Sequence, residues 1–171
     1  TFSLVHDDLP ALDDDDERRG RPSAHVAYGD GVALLAGDAL LAEALRLALT
    51  YDDSAIAREL ADATLGMIGG QFRDITGDDE DLAALHRLKT GRLFSAAVHM
   101  GLEVARVPVA KREPWLAFGD EIGLLFQVVD DLLDGDGYAE RLGFEAAGRF
   151  ADDCAARASG HLDDLREDAE V

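Results

Sequence analysis

The chain has 171 residues, of which 47% are hydrophobic, so it can bury a core and is not a disordered acidic tail. Its 36 acidic and 16 basic residues give a net charge of −20, which argues against a nucleic-acid surface and favours divalent cations as partners. The single cysteine excludes an intrachain disulfide and fits a cytoplasmic protein, and no stretch is apolar enough to predict a membrane span.

Hydrophobic residues recur every three or four positions along almost the whole chain, which predicts helices. The first nine residues indicate the last turns of a helix that stops near Pro10. Five longer helices are predicted over residues 31–49, 54–75, 81–107, 113–134 and 144–167. We expect Asp30 to cap the first of these, Gly69-Gly70 to kink the second and Pro114 to lie in the first turn of the fourth. No strand pattern is present, so the sequence predicts an all-α bundle.

An unusually dense aspartate cluster occupies residues 7–16. Asp7 and Asp13 are six positions apart and would not align on a regular helix. Pro10 interrupts the helix between them, so a bulge could bring both carboxylates to one point. Carboxylate oxygens suit Mg²⁺, which keeps several waters and often binds substrate phosphates as well.

Two arginines, Arg18 and Arg19, follow this cluster at once. Their planar guanidinium groups cannot bind a metal ion, but they suit phosphate oxygens. Acidic sites beside arginines therefore indicate a diphosphate that is bridged to the protein by metal ions.

A second aspartate cluster, Asp130-Asp131-Leu132-Leu133-Asp134, ends the fourth long helix. The spacings i, i+3 and i, i+4 put its three carboxylates on one face, and the apolar flanks predict that this face abuts the core. Buried carboxylates are costly unless they are paired or bound to metal, so the cluster is a second candidate Mg²⁺ site. The alternative is that these residues begin an exposed polar stripe.

Other kinds of site fit the sequence less well. The chain contains no GxxxxGK[ST] loop, no zinc-binding spacing among its five histidines and no serine in a nucleophile elbow. An EF-hand loop starting at Asp134 fails at its sixth position, which is Ala139 where the loop requires glycine.

Together, these motifs resemble those of the trans-isoprenyl diphosphate synthases, the polyprenyl synthetase family, of the bacterial short-chain farnesyl/geranylgeranyl type. DDxxxxD followed by RRG matches Asp7–Asp13 and Arg18–Gly20, and FQxxDDxxD matches Phe126–Asp134. Shorter family motifs lie between them in the family's order: LLAGDALL at 34–41, GGQ at 69–71 and KTG at 89–91. The resemblance covers roughly residues 1–165.

The resemblance implies an isoprenoid-synthase-type helical bundle around a central cavity. It implies a prenyltransferase that condenses isopentenyl diphosphate head-to-tail with dimethylallyl or geranyl diphosphate, with about three Mg²⁺ ions per active site. The implied metal residues are Asp7, Asp8, Asp13, Asp130, Asp131 and Asp134. Of these, Asp7, Asp13 and Asp130 would bind Mg²⁺ directly, and the others would support them.

The resemblance also assigns the substrate-binding residues. Arg18, Lys89 and Gln127 would hold the allylic diphosphate. Thr90 would lie beside the reacting carbons, so that Lys89, Thr90 and Gln127 form the catalytic set. Arg19 would hold the isopentenyl diphosphate.

Product length depends on how deep the hydrocarbon cavity is. In the family, the residue five positions before the first aspartate often forms its floor, and here that residue is Phe2. A bulky floor predicts farnesyl (C15) diphosphate, whereas a deeper floor predicts geranylgeranyl (C20) diphosphate. Ordinary core packing is the other interpretation of Phe2.

The chain departs from the family pattern at two places. The N-terminal helices that carry a GGKR motif are absent, and Gly135–Gly137 runs straight to Tyr138 where the family has a loop ending in KxTY. We therefore expect a partial single domain over residues 1–171, with N-terminal helices and a mobile loop after Asp134 missing from the sequence.

Two alternatives to a catalytic synthase remain at this point. One is a noncatalytic regulatory subunit of a heteromeric prenyl synthase, although such subunits usually lose one aspartate motif and both are present here. The other is a terpene cyclase, which would carry a different second motif. The resemblance further implies a homodimer, with residues 33–50 and 83–105 as candidate interface helices.

Overall fold

Helices form most of the regular structure in this computed structural model, which describes residues 2–77 and 81–169. The chain divides into two compact units, Thr1–Ser54 and Ala55–Val171. The all-α prediction is confirmed, apart from one short hairpin in the first unit. Within the described ranges, no helix has the length and apolar character needed to cross a membrane.

The first unit contains short helices, one long helix and a hairpin. Its elements are α1 (Phe2–Asp7), β1 (Glu17–Arg18), β2 (Arg21–Pro22), α2 (Ala24–Tyr28) and α3 (Asp30–Ala48). α1 ends before Pro10, as the sequence predicts, because proline cannot continue the helical hydrogen bonds. Asp30 is the first residue of α3 and Gly29 is its N-cap, so the predicted capping role of Asp30 is wrong by one position.

The hairpin connects two very short strands. Arg18 pairs with Arg21, and the two residues between them, Arg19 and Gly20, have φ angles of 57° and 75°. Left-handed backbone at both central positions matches the twist of a two-residue hairpin turn. Strands of two residues carry no alternating pattern, so periodicity could not predict this hairpin.

His6 packs α1 against α3. Its Nε2 donates a hydrogen bond to Leu34 O at 2.9 Å, and it lies 3.6 Å from Asp38 Oδ1. The imidazole occupies the space over Gly37, where the Cβ of any other residue would overlap it. The glycine of the LLAGDALL motif therefore fixes where the end of α1 lies on α3.

The second unit is built from longer helices. Its elements are α4 (Ser54–Thr76), α5 (Leu82–His86), a π-helical turn (Arg87–Gly91), α6 (Arg92–Val104), a 3-10 turn (Val109–Lys111), α7 (Glu113–Asp134), α8 (Gly137–Leu142) and α9 (Phe144–Ala169). Pro114 lies in the first turn of α7, as predicted. The buried cluster consists of Val128, Tyr138, Ala147 and Ala151, with Leu124, Leu125 and Phe150 packed against it.

Small residues let α7 approach its neighbours. A Cβ on Gly123 would lie 2.9 Å from the Cα of Gly91 and 3.3 Å from Phe94 Cβ, closer than side chains tolerate. A Cβ on Gly119 would lie 3.0 Å from Val98. The middle of α7 therefore touches the π-helical turn almost backbone to backbone.

Three local features add detail to the helices expected from the sequence. α4 runs as one helix through Gly70, which packs against the backbone of Lys89, so the helix does not end at the Gly69-Gly70 pair. The helix predicted over 81–107 contains the π-helical turn in its middle. The connection from α7 to α8 consists of only Gly135 and Asp136, and Gly135 ends α7 in the left-handed conformation with φ of 77°.

Candidate functional site

The first aspartate motif folds back on itself after α1. Leu9 N donates to His6 O at 3.0 Å, and Asp13 N donates to Asp7 O at 2.9 Å. The chain around Pro10 therefore closes a loop in which the backbones of Asp7 and Asp13 are hydrogen-bonded, and the expected meeting of their carboxylates stays a prediction. Asp13 is exposed and Asp7 is half-buried.

Asp8, the second aspartate of this motif, is paired with Arg18. Asp8 is only 3% exposed, and its Oδ1 accepts from Arg18 Nε at 2.7 Å and lies 2.5 Å from Arg18 Nη2. This hydrogen bond, together with the Asp8 charge, raises the pKa of the Arg18 guanidinium. A second carboxylate, Asp15, lies 3.5 Å from Arg18 Nη2. Asp8 therefore orients an arginine, which is a different contact from the metal support implied by the sequence.

Arg19 lies exposed at the tip of the hairpin. Its φ of 57° places a non-glycine residue in the left-handed region, which costs roughly 1–2 kcal/mol. Residues held in this region often serve a function that the strain supports. The turn leaves Arg19 exposed to solvent.

The second aspartate motif is divided between core and surface. Asp131 is 3% exposed, whereas Asp130 and Asp134 are exposed. The prediction that all three face the core is therefore wrong for Asp130 and Asp134. Successive residues of a helix are about 100° apart, so only one of the first two aspartates can point inward.

Asp131 accepts hydrogen bonds on both carboxylate oxygens. Gln127 Nε2 donates to Oδ1 at 2.7 Å, and the backbone N–H of Tyr138 donates to Oδ2 at 2.8 Å. Gln127 Oε1 in turn accepts from the Thr90 hydroxyl at 2.7 Å. The three residues assigned by separate motifs, KTG, FQ and DDxxD, are thus joined in one hydrogen-bonded chain.

Lys89 lies beside this chain, in the same π-helical turn as Thr90. Its Nζ is 2.5 Å from Asp74 Oδ2 near the end of α4. Gly70 allows the backbone of Lys89 to lie directly against α4. π-Helical turns often occur at functional sites, and this one was not visible in the sequence because the apolar spacing passes through it unchanged.

His86 is a residue of this region that the sequence motifs do not assign. It is buried, its Nε2 lies 3.2 Å from Asp131 Oδ2, and its ring packs 5.4 Å from that of Tyr138. Neither ring nitrogen makes an aligned hydrogen bond to any described residue. Burial lowers the pKa of His86, and the charges of Asp131 and Asp74 only partly oppose this effect.

The carboxylates of the two aspartate motifs fit a Mg²⁺ ion that also binds phosphate oxygens. They do not fit a metal site whose ligands all come from the protein. Among the described residues, no group of three or more histidine, cysteine, aspartate or glutamate side chains is arranged to hold a metal ion. The pairs Asp7 with Asp13 and Asp130 with Asp134 instead each offer two carboxylates. Mg²⁺ is commonly bound through one or two carboxylates, with its other positions filled by water and substrate phosphates.

The chain is similar to known prenyl diphosphate synthases. The family model described as polyprenyl synthetase matches residues 1–151. The farnesyl diphosphate synthase of Bacillus subtilis is 37% identical over 158 residues, covering 84% of this chain and 53% of that protein. The geranylgeranyl diphosphate synthase of Cyanophora paradoxa is 39% identical over 158 residues, with the same 84% and 53% coverage.

Solved structures agree with this relationship. The crystal structure of geranyltransferase from Helicobacter pylori, complexed with magnesium and isoprenyl diphosphate, matches with a TM-score of 0.81 and 32% identity. The match covers 96% of this chain and 64% of that one. The chain spans about half the length of the curated relatives it matches, which share 53% of their own length with it.

Proposed function

The chain belongs to the polyprenyl synthetase family, and we propose that it acts in the Mg²⁺-dependent condensation of isopentenyl diphosphate with an allylic diphosphate. The observation that carries the proposal is the second site. There, the KTG and FQ motifs meet in the Thr90–Gln127 hydrogen bond, and α7 presents Asp130 and Asp134 on an exposed face. Similarity to farnesyl and geranylgeranyl diphosphate synthases supports this activity over that of a regulatory subunit or a terpene cyclase.

Each aspartate motif has a defined part in this proposal. Asp7 and Asp13 in the first motif, and Asp130 in the second, would hold Mg²⁺, with Asp134 in support. When bound, the metal neutralises negative charge on the oxygens of the leaving diphosphate. Separation of the diphosphate from the allylic carbon creates opposite charges, so groups that stabilise the leaving oxygens lower the barrier.

The cationic and polar residues would bind and orient the substrates. Lys89 and Arg18 would approach the allylic diphosphate, and the exposed Arg19 would bind the diphosphate of the isopentenyl substrate. The Thr90 hydroxyl donates its proton to Gln127 Oε1, so its oxygen offers lone pairs rather than a proton to the reacting carbons. Such an oxygen favours positive charge on the allylic carbons.

A product assay tests the function. The protein is incubated with isopentenyl and geranyl diphosphates, with Mg²⁺ or with EDTA, and the prenyl alcohols are sized after phosphatase treatment. We expect Mg²⁺-dependent elongation to C15 or C20. Absence of any elongation in the presence of Mg²⁺ would overturn the proposal.

Product length is assigned to Phe2, which begins α1 and is half-buried. We propose that its ring limits the hydrocarbon chain to C15. Phe2→Ala should then shift the product to C20 or longer without changing the Mg²⁺ dependence. An unchanged product distribution would mean that Phe2 only packs in the core.

We further propose that the chain forms a homodimer through α3. This helix exposes large apolar side chains, among them Leu35 at 65% and Leu47 at 51%. In residues 83–105, all of which are described, Val104 is the only exposed large apolar residue, so that candidate interface is not retained. Sedimentation velocity should show a dimer that Leu35→Glu converts to monomer, whereas the control Val109→Glu should leave it intact. A monomeric wild-type protein would contradict the assignment.

A further inference from the structure

Asp131 differs from the other aspartates of its motif in its surroundings. It is 3% exposed, whereas Asp130 and Asp134 lie on the exposed side of α7. A carboxylate removed from water must be satisfied by donors of the protein. The donors that surround Asp131 therefore indicate what it does.

The first oxygen of Asp131 fixes the orientation of the Gln127 amide. Oδ1 can only accept, so at 2.7 Å it selects the Nε2 side of the amide. The Gln127 Oε1 must then face the opposite way, where it accepts from the Thr90 hydroxyl at 2.7 Å. The orientation of the Thr90 hydroxyl is thus set by Asp131 through one intervening side chain.

The second oxygen of Asp131 closes the turn between α7 and α8. Oδ2 accepts from Tyr138 N at 2.8 Å, and Asp131 O accepts from the backbone N–H groups of Gly135 at 2.9 Å and Asp136 at 3.2 Å. Gly137 lies against the carboxylate with φ of 45°, and a Cβ at this position would overlap it. The short connection found in this chain is therefore built around the Asp131 carboxylate.

We propose that Asp131 is a positioning residue, not a Mg²⁺ ligand, and that it orients Gln127 and Thr90 while clamping the α7–α8 turn. The inference rests on the proposed function, in which Thr90 faces the reacting carbons. Asp130 remains the Mg²⁺ ligand of the second motif, with Asp134 in support on the same exposed side of α7. Turning the Asp131 carboxylate toward a metal ion would leave the Gln127 amide or the Tyr138 N–H without its acceptor.

Metal binding separates this proposal from the proposed function, because it needs no turnover. Mn²⁺ binding in the presence of inorganic pyrophosphate is measured by electron paramagnetic resonance for wild type, Asp130→Asn and Asp131→Asn. We expect Asp130→Asn to weaken binding by about tenfold or more, and Asp131→Asn to leave it within about twofold. Equal weakening by both substitutions would overturn the positioning role, even if the protein proves to be an active synthase.

Exchanging the carboxylate and the amide between positions 131 and 127 tests the orientation of the Gln127 amide. An asparagine at position 131 would offer a donor where Asp131 offers an acceptor, so Asp131→Asn should flip the Gln127 amide and lower kcat by about 100-fold, with little change in KM. Adding Gln127→Glu supplies an acceptor both for the new asparagine amide and for Thr90, and should recover most of the lost kcat. A double variant no better than Asp131→Asn would overturn the proposal. If Asp131→Asn alone does not fold, Mn²⁺ binding is measured on the double variant instead. Binding within about twofold of wild type would support the positioning role, and weakening equal to that of Asp130→Asn would overturn it.

Discussion

Lys89 and Asp74 form an ion pair in which Nζ lies 2.5 Å from Oδ2, with side-chain exposures of 26% and 36%. In the proposed function Lys89 binds diphosphate, so the diphosphate and the Asp74 carboxylate of α4 would compete for the same ammonium group. Partly exposed pairs of this kind contribute about 0–1 kcal/mol, so the carboxylate competes weakly with an incoming anion. We expect Asp74→Asn to tighten the binding of inorganic pyrophosphate by about two- to fivefold, measured by isothermal titration calorimetry.

The control for this prediction is the same change in a protein that lacks the lysine. In a Lys89→Gln background, Asp74→Asn should alter pyrophosphate affinity by less than about twofold, because only the general negative potential is then removed. Weaker binding by Asp74→Asn alone would show that Asp74 positions Lys89 instead of competing for it.

Gly69 and Gly70 are adjacent in α4, but they should respond oppositely to alanine. A Cβ on Gly70 would overlap the backbone of Lys89 and Leu88, whereas a Cβ on Gly69 meets no atom within 4 Å. Gly70→Ala should lower the free energy of unfolding by about 1–3 kcal/mol, the usual cost of overpacking. Gly69→Ala should raise it by up to about 1 kcal/mol through helix propensity.

Urea unfolding monitored by circular dichroism measures both alanine variants. Equal effects of the two substitutions would contradict the close packing of α4 on the π-helical turn. Gly70→Ala should also weaken pyrophosphate binding, because the added Cβ would displace the backbone of Lys89.

The sequence predicted the long helices well because apolar spacing records which face of a helix is buried. From the proline between them it predicted that the carboxylates of Asp7 and Asp13 meet; the structure shows a backbone hydrogen bond between the two residues, and the meeting of the carboxylates stays a prediction. It could not separate Asp131 from Asp130 and Asp134, because the i+3 and i+4 spacings define a face but not its inward edge. Which carboxylate turns inward depends on Tyr138 and Gln127, whose contacts arise only after folding.

Two other features were hidden for different physical reasons. The π-helical turn around Lys89 adds one residue to a helical turn without changing the composition, so no propensity marks it. His86 has a polar side chain that sequence patterning places at the surface, yet it is buried between Asp131 and the ring of Tyr138. Tertiary packing decided both positions.

Because Arg19 has a left-handed backbone, replacing it by glycine should affect stability and substrate binding differently. Arg19→Gly removes the strain of a φ of 57°, so the midpoint of thermal unfolding should not fall. The same substitution removes an exposed guanidinium, and we expect the KM for isopentenyl diphosphate to rise by about tenfold or more. Arg21→Gly, on the paired strand of the same hairpin, is the control and should have a smaller effect on KM. A large fall in the unfolding midpoint of Arg19→Gly would contradict the claim that the backbone of Arg19 is strained.

His86 should make the protein less stable as the pH falls. Burial lowers its pKa in the folded state, with Lys89 acting in the same direction and Asp131 and Asp74 opposing it, whereas the unfolded chain titrates near its ordinary value of about 6.5. As the pH falls through that value, the unfolded state therefore binds a proton before the folded state does. The free energy of unfolding decreases as a result.

Replacing the imidazole tests this titration directly. His86→Asn cannot take up a proton, so the loss of unfolding free energy between about pH 7.5 and pH 5.5 should be smaller than in wild type. Urea unfolding in the presence of EDTA measures the difference without any contribution from bound metal. His161→Asn, in α9, is the matched control and should keep the wild-type dependence. A His86→Asn protein whose stability falls as steeply as wild type would show that other groups carry the acid sensitivity, and that the buried imidazole beside Asp131 is not its source.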